Sequence, residues 1–64
     1  SLLPDEDDFP LKSGDRVMHR VFGMGNVEKV DFEDEAIVVK FDSLPTSRAL
    51  ALSAAGKLEK VIRS

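Results

Sequence analysis

Ser13-Gly14-Asp15-Arg16-Val17-Met18-His19-Arg20-Val21-Phe22-Gly23-Met24-Gly25-Asn26-Val27-Glu28-Lys29-Val30 reads as a strand, a glycine-pivoted turn and a second strand. Residues 16–21 are short, rich in β-branched and apolar side chains, and bounded by the Ser13-Gly14-Asp15 turn signal, which is the composition of a strand. Gly23 and Gly25 flank one methionine, and glycine either reaches positive φ or lets another backbone approach without a Cβ in the way. Both are therefore expected to serve the turn and the fold rather than a ligand. Val27 and Val30 lie three apart, which breaks strict alternation and predicts a bulge that bends the second strand.

Downstream the same reading continues. Ile37, Val39 and Phe41 share one face at period two while Lys40 faces the other way. Five strands are expected, at about 15–21, 25–31, 36–41, 47–52 and 58–62, forming an all-β, five-stranded, SH3-like or Tudor-like antiparallel barrel. Residues 53–56 are Ser-Ala-Ala-Gly, too short for an independent helix, and predict one helical turn before the last strand. A single amphipathic helix over 48–60 is the rival; Gly56 in its interior argues for strand, turn, strand.

With 64 residues the chain holds one small domain. It has no cysteine, so neither a disulfide nor a thiolate metal site staples it, and a reducing, cytoplasmic compartment is the natural expectation. Its apolar runs, such as residues 36–39 and 49–52, are far short of the ~20 residues a membrane helix needs. The opening serine and acidic tract suggest a piece of something larger. Asp5, Glu6, Asp7 and Asp8 sit among Pro4 and Pro10, so residues 1–10 read as an acidic flexible linker and the domain proper as 11–64, with docking of Phe9 on the barrel as the less favoured alternative. Residues 11–64 carry nine basic and eight acidic side chains, a net +1, with six of the acids in 28–42. An extended basic stripe for phosphates is absent from that pattern.

The pattern Gly14-Asp15-Arg16-Val17-x-His19-x-x-Phe22-Gly23-x-Gly25-x-Val27 resembles the opening of the Tudor-like domain at the C-terminus of bacterial UvrD/PcrA-type DNA helicases, with every fixed position filled. Val38-Val39-Lys40-Phe41-Asp42 is similar to that family's third strand, and Leu58-Glu59-Lys60-Val61 to its closing strand. The likeness covers roughly residues 11–61. The family's basic position in the fourth strand is Arg48 here, followed by Ala49 and Leu50, and residues 53–57 lack the family's aromatic. The resemblance implies an adaptor that joins an ATP-dependent DNA helicase to RNA polymerase in DNA repair coupled to transcription. The polymerase-interacting domain of a CarD-like or transcription-repair coupling factor-like protein is a related alternative, since its opening strands also carry Gly-Asp-x-Val and Gly-x-Gly.

Catalysis is not expected. His19 is the only histidine, with no cysteine or second histidine beside it, and a structural role is favoured. No catalytic residue, metal ligand or cofactor is assigned. Asp31-Phe32-Glu33-Asp34-Glu35 lacks the central glycine and ligand alternation of a calcium loop and reads as a solvated hairpin tip. Without Trp or Tyr, an aromatic cage for methylated lysine is not expected. The candidate partner-binding residues are Arg48, Arg20, Met18, Met24 and Phe22, because adaptable thioethers within a rim of arginines suit a modest protein interface. Arg48 comes first among them. Lys12, Arg16, Lys57 and Lys60 are the candidates should the barrel instead bind nucleic acid, although aromatic stacking platforms are scarce. The expected state is a monomer without a small-molecule substrate or membrane contact.

Overall fold

A computed structural model describes residues 8–62. It contains five strands, β1 (Arg16–His19), β2 (Gly23–Asp31), β3 (Ala36–Phe41), β4 (Arg48–Ala51) and β5 (Leu58–Lys60), with one 3-10 turn, Leu52–Lys57, between the last two. All pair antiparallel in one sheet of order β4-β3-β2-β1-β5. The sheet is open, with β4 and β5 as its edges. The strand–turn–strand reading of 48–60 therefore holds in place of the amphipathic helix, and every strand begins and ends within two residues of its expected bounds.

Period-two alternation decides which side chains are inside. Val17 and His19 of β1, Val27 of β2, and Ile37, Val39 and Phe41 of β3 are buried. Val30 and Leu50 pack against that core from its margin. Between Val27 and Lys29 the register against β3 slips by one, leaving Glu28 as the extra residue of the predicted bulge. The freed Glu28 carbonyl accepts the Ser13 hydroxyl at 2.9 Å, and its carboxylate accepts the Ser47 hydroxyl. The bulge thus lets two valines three apart face the same core.

Phe9 corrects one expectation. Read as part of the linker, it is 7% exposed and packs edge-on against Phe32, ring centroids 5.4 Å apart, with Leu11 buried beside it in the core cluster. The physical reason is the area still uncovered where β2 and β3 meet their hairpin, which Phe32 alone does not close. The packed unit thus includes residues from Phe9 onward. The expectation for residues 1–7 lies outside the described residues.

Gly23 and Gly25 act by different means. Gly23 has φ +81 and open space where a Cβ would stand, so its conformation alone asks for glycine. Gly25 has no positive φ, but a Cβ there would meet the Lys40 carbonyl oxygen at 2.8 Å, Phe41 Cδ1 at 2.9 Å and Val39 Cγ1 at 3.0 Å. It is a close-approach glycine, at which β2 and β3 and the core rings share space that admits no methyl group.

Candidate functional site

The β1–β2 hairpin builds the site. His19 pairs across the strands with Gly23, and residues 20–22 form the loop. The N–H groups of Val21 and Phe22 in that loop donate to His19 Nδ1 at 3.0 and 3.3 Å, so the imidazole closes the turn from below. An accepting Nδ1 places the proton of the neutral ring on Nε2. The ring also stacks on Phe22 (4.8 Å) and meets Phe41 edge-on (5.8 Å). At 8% exposure and with two loop N–H groups bonded to it, His19 helps fix the hairpin's geometry.

With His19 and Val17 turned inward, β1 presents Arg16 and Met18 outward, and Arg20 is exposed just past its end. Met18 pairs laterally with Met24 on β2 and with Glu59 on β5. A shallow cleft follows, lined by Met18, His19, Arg20, Met24, Lys57 and Glu59, with Gly23 and Gly56 as its low walls. A smaller hollow next to it brings Val21 alongside Arg20 and Lys57. Met18 is 42% exposed and Val21 76%, large apolar side chains left in water at one end of the sheet. Arg20 and Lys57 make no ion pair among the described residues, and neither does Arg48. The floor of the cleft is therefore thioether and the rim mostly cationic, with Glu59 its one acid.

The predicted partner residues divide between two places. Met18, Arg20 and Met24 come together in this cleft. Arg48 and Phe22 lie apart from it, as the Arg48 guanidinium stacks 5.1 Å over the Phe22 ring, which itself leans on Phe41 at 5.1 Å. The basic residues proposed for nucleic acid divide as well. Arg16 forms a two-pronged pair with Asp42, one prong at 3.0 Å, and also reaches Asn26 at 3.2 Å. Hydrogen bonding to Arg16 holds the Asp42 carboxyl below its ordinary value, and the same bond raises Arg16. Lys60 lies 3.6 Å from Asp15. Lys12 is exposed, and Lys57 lines the cleft.

The acidic hairpin tip is self-contained. Asp31 accepts the Asp34 N–H at 3.0 Å and pairs with Lys29 at 3.2 Å, and these, the backbone bond first, lower its carboxyl from its ordinary value. Lys40 donates to the carbonyls of Phe41 and Leu44, pinning the β3–β4 loop. Among the described residues no group of three His, Asp or Glu side chains is arranged to hold a metal ion, and no helix is long and apolar enough to cross a membrane.

Sequence reasoning passed over Val21 and assigned Lys57 to another role. The signal for Val21 was its place between His19 and Gly23, the tip of a three-residue hairpin loop, where no strand among the described residues covers it. Compared with known proteins, the chain matches no family model, no curated protein and no solved structure.

Proposed function

We propose that this chain is a non-catalytic protein-interaction module, an SH3-like or Tudor-like barrel through which a bacterial UvrD/PcrA-type helicase is tethered to RNA polymerase in the cytoplasm. The reading rests on a division of labour within the motif. The fixed positions of the helicase-type pattern have fold-building work here. Val17 and Val27 are core, His19 closes the turn, Phe22 roofs the core, and Gly23 and Gly25 are required by φ and by space. Four of its five open positions, Met18, Arg20, Val21 and Met24, gather around the cleft, while the fifth, Asn26, accepts a hydrogen bond from Arg16. A scaffold that fixes the hairpin and leaves such side chains facing solvent suits recognition of another protein.

The curl expected of a barrel has support in the chain's own arithmetic. In a flat five-stranded sheet the edges β4 and β5 would stand about 19 Å apart. The 3-10 turn that joins them, Leu52–Lys57, advances only about 12 Å at its usual rise. The sheet must bend to be connected so directly. Against a phosphate-binding role stand Arg16 and Lys60, whose charges already face carboxylates.

The test is interferometry of the chain against core RNA polymerase and against short single-stranded and duplex DNA at physiological salt. Polymerase binding in the micromolar range, stronger than DNA binding, is expected, with Val21→Asp and Lys57→Glu each weakening it while the melting temperature stays near the parent's. Arg48→Glu is expected to weaken it also. DNA binding tighter than polymerase binding would replace this reading with the nucleic-acid one.

A further inference from the structure

The chain holds no cysteine, tryptophan or tyrosine, and its only two sulfur atoms are those of Met18 and Met24. Both residues line one cleft. The Val27 N–H donates to the Asp15 carbonyl at 2.8 Å, one step beyond the Arg16↔Asn26 pair. Bonded and non-bonded pairs alternate along an antiparallel ladder, which makes Met18 and Met24 a non-bonded pair across β1 and β2. In keeping with that, the Met24 carbonyl turns to the other side and accepts the Asp42 N–H at 2.9 Å. Non-bonded partners stand about 4.5 Å apart at Cα with their side chains at closest approach, so the two thioethers lie together on one face.

Exposure separates the two. Met18 is exposed on the outer face of β1, whereas Met24 is half-buried. The chain neighbours of Met18, Val17 and His19, point into the core, so chemistry at its sulfur leaves the packing beneath untouched. Arg20 and Lys57 line the same cleft and have no carboxylate partner among the described residues. A thioether sulfur is only a weak acceptor for such cations. A sulfoxide oxygen is polar and accepts their N–H groups in charge-assisted bonds.

We propose that Met18 is a reversible oxidation site for peroxide, and that its sulfoxide, held by Arg20 and Lys57, closes the cleft to a protein partner. A lone pair on Met18 Sδ attacks one oxygen of hydrogen peroxide. The S–O bond forms as the O–O bond breaks, and the departing hydroxide takes the proton from the transferred oxygen and leaves as water. Sulfur loses two electrons and peroxide gains them. Two electrons and two protons from a dithiol, delivered through a sulfoxide reductase, restore the thioether and release the oxygen as water. In the oxidised chain the floor of the cleft is polar and its two free cations turn inward, which removes both features that suit it to protein. The loss of partner binding rests on the interaction-module reading; the oxidation site and its lock do not.

The isotope-labelled chain is treated with limiting hydrogen peroxide and followed by NMR of its methionine methyls and by peptide mass spectrometry. Met18 should gain its oxygen before Met24, with the Arg20 and Lys57 side-chain signals shifting in step and the melting temperature staying near the parent's. Binding of the oxidised chain to core RNA polymerase should fall about tenfold or more, since an interface would have to desolvate the new polar group. Methionine sulfoxide reductases with dithiothreitol should restore it. In Met18→Leu, peroxide should leave the Arg20 and Lys57 signals where they were. Met24 oxidised first or equally fast, Arg20 and Lys57 signals unmoved by oxidation of Met18, a collapse of the melting temperature, or undiminished polymerase binding would each overturn the inference. Should the untreated chain fail to bind polymerase, the interaction-module reading falls, and the order of oxidation with the Arg20 and Lys57 signals decides the oxidation site on its own.

Discussion

Gly25→Ala tests the packing account where it is most exposed to error. The added methyl meets the Lys40 carbonyl oxygen at 2.8 Å and core atoms of Phe41 and Val39 at 2.9 and 3.0 Å. None of the three can retreat cheaply. The oxygen belongs to the β3 backbone, which the Gly25↔Phe41 register holds beside β2, and Phe41 and Val39 are fully buried. Overpacking of this kind costs about 1–3 kcal/mol, and contact with backbone puts it at the upper end. Gly23→Ala meets no atom at all; it forces a Cβ onto φ +81, which costs about 1–2 kcal/mol, partly offset by the roughly 0.4–1 kcal/mol gained from a less flexible unfolded chain. At about 4–8 °C per kcal/mol for a domain of this size, Gly25→Ala should melt more than about 8 °C below the parent and Gly23→Ala nearer to it. Gly23→Asn, which tolerates the left-handed region, should recover part of that loss. Calorimetric melts of the three variants decide. Gly25→Ala melting within 2 °C of the parent, or above Gly23→Ala, would refute the close-approach argument.

Three further outcomes follow from the same geometry. Phe9→Ala should lower stability by about 3 kcal/mol, read by urea denaturation, whereas a residue of a solvated linker would leave the midpoint unmoved. His19→Phe keeps the ring stack and leaves the Val21 and Phe22 N–H groups without their acceptor, so a loss of about 1–2 kcal/mol and faster exchange at those two amides are expected. Asp42 and Asp31 both have folded carboxyls below their ordinary 3.8, so their contribution is complete above that value and disappears as pH falls through the depressed values. The melting temperature should accordingly fall on acidification below about pH 4, and less steeply in Asp42→Asn.

The strands were legible because period-two burial leaves its mark on Ile37, Val39 and Phe41, and the bulge because two valines three apart cannot otherwise share a face. Phe9 was not, since an apolar residue beside acids and prolines looks solvated until Phe32 is known to stand next to it. Pairing between distant residues was invisible for the same reason. Arg16 and Asp42 are 26 residues apart and meet only once β1, β2 and β3 are laid side by side. Their meeting ties one candidate phosphate contact into an ion pair. Of the candidate site, residue types were readable and their grouping was not. Alternation places Met18 outward, but only the pairing of β1 with both β2 and β5 brings Met24, Glu59 and Lys57 around it.

The central claim is that this cleft recognises protein. The most direct measurement is a titration of the isotope-labelled chain with core RNA polymerase at physiological salt, followed amide by amide in NMR spectra and repeated with excess duplex DNA as competitor. The account predicts that signals of Met18, Arg20, Val21, Met24 and Lys57 are lost first and that DNA does not restore them. Loss at Lys12 and Lys60 that DNA reverses, or unchanged cleft signals beside bound polymerase, would contradict it.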